Sequence, residues 1–154
     1  MSDKASWHPE RDASTWIQFC LKAHYQQAAT VLRRNAEYAA LYELVEKLRD
    51  THRLNSRVVL PLFEAALGLR LTNARYQSLA EVAGNLASRD LKMLSDRGLL
   101  VPKGEKRGRT YFRSAELTGL RLASRQPSHL TDPFDIVAAR VHNPRDQTPR
   151  LPGL

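Results

Sequence analysis

At 154 residues and 42% hydrophobic content, the chain suffices for one ordinary domain or a small domain with appendages. No apolar run approaches the ~20 residues of a bilayer span, the opening MSDKASWHPERDAS has no secretory apolar stretch, and the single Cys20 excludes an internal disulfide or a multi-cysteine zinc site. The missing span and signal lead to the expectation of a soluble, cytoplasmic protein without a membrane partner, and the net charge of +8, from 24 Lys and Arg against 16 Asp and Glu, points to a polyanionic partner.

Residues 1–13 are polar and read as a flexible N-terminus. From 14 to 53 the spacing is helical, with Trp16, Cys20, Ala23, Val31, Tyr38, Leu41, Val45 and Leu48 recurring at threes, fours and their multiples. Ser14 or Thr15 can cap the start, and neither Gly nor Pro intervenes before Pro61. One helix of this length would run about 55 Å; a helical hairpin broken near Asn35 is the alternative. Cys20, among Trp16, Ile17, Phe19 and Leu21, reads as a small core residue. In either form the segment exceeds what the rest of the chain can cover. Part of its stripe is therefore expected to dock a protein partner or to pair with a second copy, giving a homodimer.

Residues 54–125 read as the compact part. A helix is expected from about Ser56 to Leu67, with Val59, Leu62, Phe63, Ala66 and Leu67 on one side. Pro61 lies too deep for the favoured first position, which predicts a kink or a later start. Thr72 then caps a short helix over Asn73 to Ala80, and a turn around Val82 to Gly84 leads into a second helix, Asn85 to Gly98. Its core face is Ala87, Leu91 and Leu94, at i, i+4 and i+7. Gly98 suits the left-handed residue that closes a helix. Leu99–Val101 and Thr110–Arg113 read as hairpin strands, and Ala115–Ala123 as a last short helix. Residues 126–154 hold five of the eight prolines and read as a Pro-rich C-terminal arm, with Phe134–Val141 alone able to form a turn or two of helix.

Helix, turn, helix and basic hairpin in this order is the pattern of a winged helix-turn-helix, mainly α with a small β-hairpin wing and preceded by the long helix. From Arg70 to Arg113 there are ten basic and four acidic residues, so most of the chain's positive excess falls on this module. The face opposite Ala87, Leu91 and Leu94 carries Asn85, Arg89, Lys92 and Asp96, with Ser88 at its edge. Arg pairs with two acceptors on guanine and Asn with an acceptor and a donor on adenine, which makes Asn85, Ser88 and Arg89 the candidates for base contact. Lys92, Lys103, Lys106, Arg107 and Arg109 are the candidates for phosphate contact in double-stranded DNA. Against this, Arg89 can pair with Glu81 or Asp96, Asp96 opposes a phosphate, and many winged helices bind proteins instead.

The run Tyr76-Gln-Ser-Leu-Ala-Glu-Val-Ala-Gly-Asn-Leu-Ala-Ser-Arg-Asp-Leu91, with Leu94, Gly98-Leu-Leu100 and Gly108-Arg-Thr-Tyr111, resembles the C-terminal winged helix of bacterial Fic-family proteins. Upstream, Trp16-Ile-Gln-Phe-Cys-Leu21 and the long helix resemble the segment that follows the Fic catalytic core. The resemblance implies a transcriptional autoregulatory or targeting role. The alternative is a protein-interaction or substrate-recognition module, whose winged helix recognises a target or folds onto a Fic core. Complete members of that family transfer AMP, or another phosphate-containing group, through a motif HPFxxGNGRxxR. Here His8-Pro9 is followed by Glu10 and no Gly-Asn-Gly-Arg run occurs. The resemblance thus implies a C-terminal fragment, or a relative that has lost the enzyme. Ala83 also stands where the motif has a capping Ser or Thr, a loss of ~1 kcal/mol unless Asn85 caps a later start.

No catalysis, cofactor or metal site is expected. Gly84, Gly98, Gly104 and Gly108 belong to turns rather than a phosphate loop, and His8, His24, His52, His129 and His142 lack ligand spacing. The expected function is a DNA-binding winged-helix module. Two copies joined by their long helices would reach half-sites about one DNA turn apart.

Overall fold

A computed structural model describes residues 12–105, 108–127 and 132–135. The chain divides into two compact units, residues 1–33 with 128–154, and residues 34–127. It is mainly helical, with one two-stranded antiparallel sheet and a long N-terminal helix.

That helix, α1 (Ser14–Thr51), is unbroken over 38 residues, so the hairpin alternative near Asn35 is not taken. Its start is held by Asp12 rather than by Ser14 or Thr15. The Asp12 carboxylate accepts from the Ser14 N–H at 2.9 Å and from the Ser14 hydroxyl at 2.5 Å, and these bonds hold its pKa below the usual carboxylate value. In the first unit, Lys22 forms an ion pair with Asp132, whose other carboxylate oxygen accepts the Phe134 N–H at 3.1 Å. Trp16 and Phe19 stack at 5.8 Å between centroids. The expected core role of Cys20 fails: it is half-buried, and Trp16, Ile17, Phe19 and Leu21 around it are all exposed. Apolar periodicity marked the stripe correctly but did not say whether this chain covers it.

The second unit has one core, in which Leu41, Leu62, Tyr76, Leu91, Leu94 and Leu117 are fully buried. Here α1 contributes Leu41, Val45 and Leu48, while Tyr38, expected among them, is exposed and Glu37 is buried in its place. The Glu37 carboxylate accepts from the Arg121 guanidinium at 3.4 Å and from the Gln126 N–H at 3.2 Å. A buried carboxylate persists only with such partners. Asn55 caps a 3-10 turn, Ser56–Val58, by accepting from the Arg57 N–H, and α2 (Val59–Ala66) follows. The late start predicted from Pro61 is what occurs: Pro61 is the third helical residue, where no intrahelical N–H bond is lost.

Helix α3 (Asn73–Ala80) is capped by the Thr72 side chain, as expected. Helix α4 (Gly84–Asp96) begins one residue before the predicted start and buries Ala87, Leu91 and Leu94. Gly98 ends it at φ +74°, the left-handed region the sequence assigned to it. Strands β1 (Leu100–Lys103) and β2 (Thr110–Arg113) pair antiparallel, Leu100 opposite Arg113 and Lys103 opposite Thr110. β1 runs two residues past its expected end and includes Pro102, which lacks a donor and sits on the strand farther from Leu71.

Leu71 was not foreseen as part of the sheet. Its N–H and C=O exchange hydrogen bonds of 2.9 and 2.8 Å with Tyr111, forming a one-residue bridge on the free side of β2. Helix α5 (Ala115–Ala123), capped by Ser114, closes the unit. Of the Pro-rich arm, Pro133–Asp135 are helical; the remainder of the turn predicted over Phe134–Val141 lies outside the described residues.

Candidate functional site

The turn between α3 and α4 sets the site. Glu81 ends α3 at φ +52°, a left-handed conformation that glycine adopts more cheaply. Ala83 precedes α4 and offers no side-chain acceptor. Asn85 does not start the helix later; it lies in the first turn, and its Oδ1 accepts from the Leu86 N–H at 2.8 Å. Gly84 leaves room for the end of the Gln77 side chain, because a Cβ there would stand 3.2 Å from Gln77 Nε2. Polar side chains bridge the gap. Asn73 Nδ2 donates to the Gly84 carbonyl at 3.2 Å and to Ser88 Oγ at 2.8 Å, while Gln77 Nε2 donates to Asn73 Oδ1 at 2.5 Å.

Beneath this surface α4 is pinned by Asp90. Its carboxylate, 4% exposed, accepts from Arg57 Nε at 2.7 Å and Nη2 at 3.0 Å, and from the Tyr76 hydroxyl at 3.0 Å. The Arg57 bonds are the main cause holding Asp90 below the usual carboxylate pKa, despite burial acting the other way. Burial, then the bond to Asp90, pushes the Tyr76 phenol well above its ordinary value. Three elements, the turn before α2, then α3 and α4, meet at one carboxylate. This clamp was missed from sequence, although a signal existed: position 90 stands three residues after Ala87 on the core side, where an acid requires a partner.

Asn85, Ser88, Arg89, Lys92, Lys103 and Arg109 are all exposed. Ser88, Lys92 and Arg109 line one open groove of about 820 Å³, together with Asn73, Gln77 and Tyr111. Arg89 lies beside Lys92, Asp96 and Arg97 in a shallower depression of about 330 Å³. Arg89 makes no hydrogen bond or ion pair among the described residues, so neither Glu81 nor Asp96 neutralises it. Two expectations need amendment. The Ser88 hydroxyl donates to the Gly84 carbonyl at 2.8 Å and accepts from Asn73, which leaves it only acceptor capacity for a base edge. Lys92 is paired with Asp96 at 3.2 Å and so brings little net charge to a phosphate. Arg109 Nε donates to the Gly104 carbonyl at 3.4 Å, across the base of the hairpin loop. Lys106 and Arg107 lie outside the described residues.

Among the described residues no helix is long and apolar enough to cross a membrane, and no three His, Cys, Asp or Glu side chains form a metal-holding group. Comparison with protein-family models, with curated proteins and with solved structures yields no match.

Proposed function

We propose that residues 54–125 are a winged helix-turn-helix that binds double-stranded DNA. In this reading α4 enters the major groove, Asn85 and Arg89 contact base edges, and the β1–β2 hairpin lies along the phosphates through Lys103 and Arg109. The observation that carries the reading is an exposed arginine, without a partner among the described residues, on a helix fixed from below by Asp90. An arginine paired with one of those residues would have to surrender that partner to bind guanine; Arg89 does not. The resemblance of Tyr76–Leu91 to the Fic-type module adds a setting, in which DNA binding serves autoregulation or targeting of a Fic-type protein.

The test is fluorescence anisotropy of a labelled random-sequence duplex titrated with the chain. If Lys103, Lys106, Arg107 and Arg109 each displace a counterion, affinity should fall about a hundredfold between ~50 and ~200 mM salt. Arg89→Ala should then flatten preference among sequences, whereas Lys103→Ala with Arg109→Ala should weaken every sequence alike and reduce the salt slope by about two. No binding at the lower salt would overturn the proposal.

A further inference from the structure

Helix α1 carries a second apolar seam that the DNA reading does not use. Ile17, Leu21, Tyr25, Ala28 and Leu32 follow one another at spacings of four, four, three and four, which lines them along one face of the helix. Ile17, Leu21, Tyr25 and Leu32 are 53, 54, 40 and 70% exposed. Between Ser14 and Leu32 the sequence holds one Asp, Glu, Lys or Arg residue, Lys22. A solvated helix face normally carries more charge than this.

The chain's own Asp132 and Phe134 do not occupy the seam. They share a depression with Thr15, Gln18, Phe19 and Lys22, and Gln18 and Lys22 stand about 100° round the helix from Ile17 and Leu21. We propose that the occupant is a second copy of this chain, packed antiparallel along the same seam.

The direction follows from the residues. A twofold axis between His24 and Tyr25 sets Ile17 against the partner's Leu32, and the large Leu21 against the partner's small Ala28. It also opposes the two helix dipoles. Parallel pairing in register would instead leave a gap where Ala28 meets Ala28 and align the two helix dipoles. The exposed fractions leave on the order of 500 Å² of seam per helix, so a dimer would bury about 1,000 Å², the lower end of specific interfaces. Self-association in the micromolar range is therefore expected, and it does not depend on DNA.

Sedimentation equilibrium of the full chain from about 5 to 300 μM tests this. The average mass should rise from 17.5 kDa towards twice that value. Leu21→Glu with Leu32→Glu should hold it at the monomer, with helicity and melting unchanged because both side chains lie outside the core. In a Cys20→Ser background, Leu21→Cys mixed with Ala28→Cys should give an oxidised heterodimer, and Leu21→Cys alone should give almost none. A constant monomer mass would overturn the proposal, as would dimerisation that survives the two glutamates. Cross-linking by Leu21→Cys alone would overturn the antiparallel arrangement. Should the glutamate variant lose helicity, the cysteine pair still decides.

Discussion

Removing Asp90 should loosen the whole second unit, and the geometry sets the size of the effect. In Asp90→Ala the Tyr76 hydroxyl stays buried without an acceptor, at a cost of ~1–3 kcal/mol. Arg57 loses a bidentate partner, but its side chain is 29% exposed and can regain water, so the total falls near the lower end of the ~3–5 kcal/mol typical of a broken buried pair. A loss of ~3 kcal/mol takes a large part of the ~5–15 kcal/mol that stabilises a domain, and for a unit of this size it lowers Tm by roughly 15 °C. The assay is a double-mutant cycle in urea with Arg57→Ala, Asp90→Ala and the pair, which isolates their coupling. About 2 kcal/mol of coupling is expected at neutral pH. The folded Asp90 pKa is depressed, chiefly by Arg57. Its contribution is therefore fully present above the unfolded carboxylate pKa of about 3.9 and fades as pH falls through the folded value. Coupling under about 0.5 kcal/mol, or coupling unchanged at low pH, would refute the reasoning.

Four further outcomes are expected. Asp96→Asn should free Lys92 from its 3.2 Å partner and strengthen binding to any duplex, steepening the salt slope by about one in anisotropy titrations. Glu81→Gly should stabilise the unit by ~0.5–1 kcal/mol, seen as a higher urea midpoint, because glycine relieves the left-handed backbone at φ +52° but loses more entropy on folding. Ala83→Ser should add ~1 kcal/mol by supplying the missing cap of α4, measured the same way. Stability should also decline above pH ~10, because the Tyr76 phenol is raised by burial and by Asp90 and stays protonated in the fold while the unfolded chain ionises; Tyr76→Phe should remove most of that decline in pH-dependent melts.

What could be read from sequence was local. The spacing of Ala87, Leu91 and Leu94, the cap at Thr72 and the left-handed Gly98 each depend on a few neighbouring residues, and each stands where the pattern put it. Features that depend on distant partners escaped. Arg57 and Asp90 are 33 residues apart, and nothing in either neighbourhood names the other. Leu71 joins the sheet through a single backbone pair, without the run of alternating residues that marks a strand. Trp16 and Cys20 show where periodicity stops being informative: it reports that a stripe is apolar, not which molecule covers it. The i, i+4 spacing of Lys92 and Asp96 is visible in the sequence and allows the exposed pair that forms, but spacing alone does not say whether a phosphate would displace it.

The bridge from Leu71 to Tyr111 has a mechanical consequence. Leu71 immediately precedes Thr72, the cap of α3, and Tyr111 lies inside β2. A load applied to the hairpin is therefore delivered to the first turn of α3 through two short amide–carbonyl links instead of being lost in a compliant hinge. The strand pair and the start of α3 should tilt together rather than independently.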